Sequence, residues 1–157
     1  MPVKIKRMLY ASDLSATSAK AFVYAGKIAK GLGAKIVILH VIEELPQVQY
    51  LPVMSPDIIE KHYKDFETHG RQQIKDRLEQ LCKTEFKDDP SCADIVEAVE
   101  VVKGHPFEEI LTKADQYDCD MIVMGTHGKG VLTHTLLGSV TERVLRRTKK
   151  PVIVVPI

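Results

Sequence analysis

The sequence predicts an α/β protein: a single-domain open parallel five-stranded sheet in the order 3-2-1-4-5, Rossmann-like, with helices on both faces. Three observations lead there. Apolar, β-branched runs alternate with segments of helical period from one end of the chain to the other. The run Lys35-Ile36-Val37-Ile38-Leu39-His40-Val41-Ile42 is almost continuously apolar, as in a strand covered on both faces. The richest polar loops follow the first and fourth runs, at Ser12-Asp13 and over residues 125–138. With right-handed crossovers, ligands sit beyond the strand carboxyl ends where the strand order reverses. Placing strands one and four side by side at that reversal yields the order 3-2-1-4-5.

The elements follow in turn. Met8, Leu9, Tyr10 and Ala11 mark a first strand over 5–11, and Ser12, Asp13 and Ser15 offer N-caps for a helix. In that helix Phe22, Ala25, Gly26 and Ala29 recur at helical spacing, and Gly31 or Gly33 should end it. Strand two covers 35–42. Pro46, Pro52 and Pro56 make 44–56 a loop long enough to serve as a lid or a partner surface. Ile59, Tyr63, Phe66, Gly70, Ile74, Leu78 and Leu81, three or four residues apart, mark a long amphipathic helix to about Glu85. Strand three is expected over 93–103, and Gly104-His105-Pro106 opens a helix with proline in its first turn. Phe107, Ile110, Leu111 and Ala114 form its buried stripe. Strand four spans 119–124, the last helix 138–148 and the fifth strand 151–156.

Composition narrows the function classes. The 157 residues suit one domain over 1–157, which would bury roughly 70% of its unfolded surface. Lys plus Arg number 22 against 21 Asp plus Glu, a net charge of +1, which argues against a nucleic-acid or membrane partner. No apolar stretch reaches the roughly 18 residues that span a bilayer, and the first residues lack the apolar core of a signal peptide. A cytoplasmic protein is expected. Cys82, Cys92 and Cys119 are odd in number and widely spaced, with no C-x-x-C and no zinc-type His pair, and read as free thiols.

The functional signal lies near the C-terminus. Met121-Ile122-Val123-Met124 leads into Gly125-Thr126-His127-Gly128-Lys129-Gly130, and Gly138-Ser139-Val140-Thr141 then opens a helix. Strand, glycine loop and helix N-terminus form an anion-binding order, because glycines let backbone N–H groups approach and the first helical turn carries unpaired donors. The pattern G-x-x-x-x-G-K-[ST] is absent, and G-x-G-x-x-G fails because Thr133 stands where the third glycine would fall.

Gly125, two residues, Gly128, nine residues and then Gly138-Ser139 resembles the G-2x-G-9x-G-[ST] signature of nucleotide-binding universal stress proteins. The resemblance spans the whole chain and includes Asp13 after strand one, Gly104-x-Pro106 and the short final strand. It implies an ATP binder, with Mg2+ or Mn2+ accompanying the nucleotide, and a homodimer paired through the final strand at residues 152–155. By the same resemblance Ala11 and Asp13 lie near adenine and ribose, and the Val41 backbone bonds the base. Met124 packs near the sugar. Gly125, Gly128 and Gly138 admit the phosphates, and Ser139, Val140 and Thr141 donate N–H or hydroxyl groups to them.

Plainer roles exist for several of these residues. Asp13 can be an N-cap, Ser139 and Glu142 have the spacing of a capping box, and the glycines can serve turns. His127 and His134 read as solvated, His40 and His105 as structural, and Lys129 as a point cation beside phosphate. Arg143, Arg146, Arg147, Lys149 and Lys150 complement the dipole of the last helix. Three functions compete: a nucleotide-sensing dimer in stress response, a slow ATP hydrolase or phosphotransferase, and a nucleotide-free adaptor. Asp13, Ser139 and Thr141 could assist a metal, but no carboxylate pair or evident base adjoins the phosphate loop, so no catalytic residue is assigned.

Overall fold

A computed structural model describes residues 2–16, 18–44, 55–87, 89–126 and 137–156. Along the chain run β1 (Arg7–Ser12), α1 (Ser18–Leu32), β2 (Lys35–Glu43), α2 (Pro56–Glu85), β3 (Val96–Gly104), α3 (Pro106–Gln116), β4 (Met121–Gly125), α4 (Ser139–Arg147) and β5 (Val152–Val155). Every strand pair is parallel and the order is β3-β2-β1-β4-β5, as the polar loops predicted. Tyr10 of β1 lies between Ile38 of β2 and Val123 of β4, so the carboxyl ends of β1 and β4 adjoin.

Period-two alternation sends successive side chains to opposite faces. Met8, Tyr10, Ile36 and Ile38 pack against Ala25 and Phe22 of α1 and Ile74 and Leu81 of α2. Leu9, Val37, Leu39 and Ile122 pack against Ile110 of α3 and Val144 of α4. Both layers are closed at the central strands, where Met8, Leu9, Ile36, Val37, Ile122 and Val123 have no exposed surface. Burial of such side chains contributes about 1.5–3 kcal/mol each, which is why the central strands read as unbroken apolar runs.

Local signals set the helix ends. Gly33, with φ +66°, follows the last residue of α1, and its N–H donates to the Lys30 carbonyl at 3.3 Å. Ser55 caps α2 by accepting from the Ile58 N–H, and Pro56 and Pro106 begin α2 and α3 where a missing N–H costs nothing. The expected loop at 44–56 lies, from 45 to 54, outside the described residues.

Two expectations need correction. Strand three does not begin at 93: Cys92–Ile95 forms a 3-10 turn, and pairing with β2 starts at Val96. Cys82 and Cys92 are not free thiols but a disulfide, with Cα atoms 5.7 Å apart. Their ten-residue separation matches no short cysteine motif. It closes because the chain turns back after α2, with Asp89 N–H bonding the Phe86 carbonyl and Cys92 N–H the Asp89 carbonyl. Cys119 is free and buried, and desolvation pushes its thiol up to about 11.

Candidate functional site

A cavity of about 560 Å³ opens at the carboxyl edge of the sheet, over the β1–β4 junction. Ala11 and Asp13 line it from β1 and its following loop, Val41 from β2, and Met124 and Gly125 from β4. Gly138, Ser139, Val140 and Thr141 line it from the start of α4. These nine residues are brought together from four parts of the chain. Gly128 and Lys129, with His127 and His134, lie outside the described residues.

The β1–α1 loop is held from several sides. Asp13 Oδ1 accepts from Ser15 N–H at 2.9 Å and Ser15 Oγ at 2.6 Å, so this carboxylate caps its own turn. It is not the N-cap of α1, whose first residue, Ser18, donates its N–H to Ser15 Oγ at 3.2 Å. Leu14 adopts φ +62°, an uncommon conformation for a leucine, with its N–H on Ser12 Oγ at 3.1 Å. The Tyr10 hydroxyl donates to the Ser18 carbonyl at 2.9 Å. His40 Nδ1 lies 2.9 Å from the Ser12 carbonyl; a carbonyl only accepts, so Nδ1 carries the proton. The expected structural role of His40 is met, and its ring also lines the cavity.

Asp13 Oδ2 differs from the rest of the loop. It is buried and has no hydrogen-bond partner among the described residues. A buried acceptor without a donor costs about 1–3 kcal/mol, more when charged, and such cost is tolerated where a ligand supplies the donor.

The β4–α4 connection supplies donors in turn. Gly138 is the N-cap of α4 at φ −71°, ψ 160°, with no side-chain cap bond. Ser139 is therefore the first helical residue, and the capping box read from the sequence does not form. Glu142 N–H makes the first helical bond, to the Gly138 carbonyl at 3.0 Å, while its carboxylate pairs with Arg146 at 2.7 Å. The N–H groups of Ser139, Val140 and Thr141 precede that bond and have no intrahelical acceptor, at the positive end of the helix dipole. Thr141 Oγ1 donates to the Gly125 carbonyl at 2.8 Å and the residue is only 3% exposed. Its hydroxyl proton thus ties α4 to the last residue of β4, and only its N–H faces the role of donor.

Other expected roles sort themselves by contact. Arg143 stacks on the Phe107 ring at 3.7 Å, and Lys150 Nζ donates to the Cys119 carbonyl at 2.6 Å, so part of the basic cluster is structural. His105 stands at the N-cap of α3 without a side-chain cap bond.

Sequence reasoning missed one wall of the cavity, formed by His62, Tyr63 and Phe66 of α2. Tyr63 and Phe66 read as core residues, yet the helix buries only Gly70, Ile74 and Leu81. Phe66 is 49% exposed and meets His62 edge to face at 4.5 Å. Lys103 Nζ lies 4.6 Å from the Tyr63 ring centroid. Length was the available signal: 30 residues of helix reach about 45 Å, whereas the nine residues of β2 reach about 30 Å. One end of α2 must overhang the sheet. Among the described residues no group of three or more His, Cys, Asp or Glu could hold a metal ion.

The model of the universal stress protein family matches residues 4–156. The chain belongs to the universal stress protein family. Universal stress protein MJ0577 of Methanocaldococcus jannaschii is 32% identical over 164 residues, covering 99% of this chain and 97% of that protein. The solved structure of MJ0577 superposes with a TM-score of 0.69 at 30% identity, covering 99% and 98% of the two chains. A universal stress protein in complex with cAMP shares the fold at a TM-score of 0.59 and 23% identity, with 98% of each chain covered. One from Archaeoglobus fulgidus in complex with dAMP shares it at 0.53 and 16%, covering 97% of this chain and 98% of that one. The family fold thus accommodates nucleotides in at least those two proteins.

Proposed function

We propose that this chain is an ATP-binding universal stress protein acting as a cytoplasmic, homodimeric nucleotide sensor. The observation that carries the reading is the pairing, in one cavity, of Asp13 Oδ2, without a partner among the described residues, with the first-turn N–H groups of α4, which have no intrahelical acceptor. One end of the cavity wants donors and the other offers them. A nucleoside phosphate matches both, with ribose or base groups donating to Asp13 and phosphate oxygens accepting from Ser139, Val140 and Thr141. Val41 and Met124 supply apolar and backbone surface between these ends, and Gly128 and Lys129 belong to the phosphate end by the motif alone. The cAMP and dAMP complexes of related proteins favour adenine over other bases. Mg2+ or Mn2+ accompanying the nucleotide would be carried by the phosphates, and Ser139 at the phosphate end could assist it.

Homodimerisation through β5 belongs to the same proposal. Among the described residues β5 pairs only with β4, and Val152, Ile153 and Val154 are half-buried along the remaining edge, a surface that invites a second strand.

The test is to denature purified protein, identify any released small molecule by mass, and titrate the stripped protein with ATP and Mg2+ by calorimetry. Co-purified adenine nucleotide, or saturable binding in the micromolar range, is expected. A clean protein that gives no heat of binding would leave the nucleotide-free adaptor as the better account.

A further inference from the structure

We propose that Arg77 of α2 is a positioning residue of the cavity: its guanidinium holds the β1–α1 loop in the conformation that presents the Asp13 carboxylate. The inference rests on the reading of that cavity as a nucleotide site. Arg77 does not line the cavity and acts through the loop.

The geometry is a three-point clamp. Arg77 Nη2 donates to the Leu14 carbonyl at 2.8 Å and also to the Ser15 carbonyl, while Nη1 donates to Ser18 Oγ at 2.7 Å. These acceptors lie at the left-handed Leu14 and just after it, where the turn that Asp13 Oδ1 closes on Ser15 leads into α1. A non-glycine residue in that conformation, next to a buried oxygen without a donor, persists only where its surroundings overdetermine it. The planar guanidinium fork supplies several directed donors from one side chain, which a lysine ammonium on its flexible stem does not.

Arg77 is itself held between two fixed points of α2. Upstream, Gly70 brings the helix so close that an added Cβ would stand 3.4 Å from both Leu14 Cδ1 and His40 Cδ2. Downstream, the Cys82–Cys92 disulfide ties the helix to the 3-10 turn before β3. The same helix therefore forms the aromatic wall of the cavity and grips the loop opposite.

The experiment compares wild type with Arg77→Met, Arg77→Lys, Asp13→Asn and the Arg77→Met/Asp13→Asn double variant. ATP affinity is read by calorimetry, stability by thermal unfolding, and loop order by amide hydrogen exchange over residues 12–18 without ligand. Arg77→Met should bind ATP about tenfold more weakly, with faster exchange at Leu14 and Ser15, and Arg77→Lys should recover part of each. In the Asp13→Asn background the same substitution should change affinity less than about twofold, because its effect passes through Asp13. Wild-type affinity in Arg77→Met, or an equal loss in both backgrounds, would overturn the inference. Failure of the wild type to bind any adenine nucleotide would sink the nucleotide reading instead, and unchanged loop exchange in Arg77→Met would then overturn the clamp by itself.

Discussion

At the amino end of the sheet charged groups brought in by the strands meet partners, whereas at the carboxyl end a carboxylate oxygen is buried with none among the described residues. Asp120 Oδ2 accepts from the N–H groups of Lys6 and Arg7 at 2.8 and 3.1 Å. Arg7 makes two hydrogen bonds to Glu97, one of them at 2.9 Å, and a third to the Tyr117 carbonyl at 2.6 Å. Lys35 Nζ donates to the Asp94 carbonyl, and the disulfide closes the same end. At the other end stand Asp13 Oδ2 and the first turn of α4. At the amino end the named charged groups are joined within the chain; at the carboxyl end Asp13 Oδ2 has no partner among the described residues. Parallel sheets produce this asymmetry because all strand carboxyl ends, with their loops, open on one side.

Substitutions at the two ends should therefore separate affinity from stability. The largest effect is expected for Gly138→Val, whose side chain would intrude at the helix N-terminus: ATP affinity should fall at least about 100-fold. Its circular dichroism should stay near wild type, and retained affinity would remove this end from the site. Next comes Cys82→Ser, which opens a short loop at the amino end and should lower unfolding free energy by about 2–3 kcal/mol. Denaturant titration measures that loss, and ATP affinity in the folded variant should be unchanged. If affinity falls as well, the two ends are coupled through α2.

Asp13→Asn should weaken ATP while leaving the ligand-free protein as stable as wild type or up to about 1 kcal/mol more stable, since it neutralises a buried oxygen without a donor. Clear destabilisation of the ligand-free form would assign Asp13 a purely structural role. The smallest effect belongs to Glu97→Gln. The hydrogen bonds from Arg7 hold the Glu97 carboxyl below its ordinary value. Its stabilisation is accordingly present above the unfolded-state value of about 4.3 and is lost as the pH falls through the lower folded-state value. Glu97 is 36% exposed, so screening keeps the contribution below about 1 kcal/mol. Thermal midpoints of wild type and variant should converge as the pH is lowered through that window; a constant gap would place the effect elsewhere.

Much of this molecule was legible before its folding was known. Apolar periodicity located all five strands and four helices, and the polar loops after strands one and four placed those strands side by side. Of the residues to which the glycine spacing and Asp13 pointed, the fold gathers Asp13, Gly125, Gly138 and Ser139 in one cavity, while Gly128 lies outside the described residues. Pattern reading fell short where identity depended on what lay opposite. Tyr63 and Phe66 fit a core stripe by spacing, but stand where α2 has run past the sheet and line the cavity, with Phe66 about half exposed. Ser139 and Glu142 had the spacing of a cap, but the chain enters α4 one residue earlier, through Gly138.

By itself, then, the sequence determined the α/β architecture, its strand order and the chemistry gathered at the carboxyl edge, because these depend on local periodicity, turn residues and parallel-sheet rules. Only the tertiary structure decided that Cys82 and Cys92 meet, that the Thr141 hydroxyl is committed to Gly125, that Asp13 Oδ2 has no partner among the described residues, and that Arg77 grips the loop beside it. Each is a contact or an absent contact between groups brought together by the fold, set by angstrom-scale packing that residue spacing does not encode.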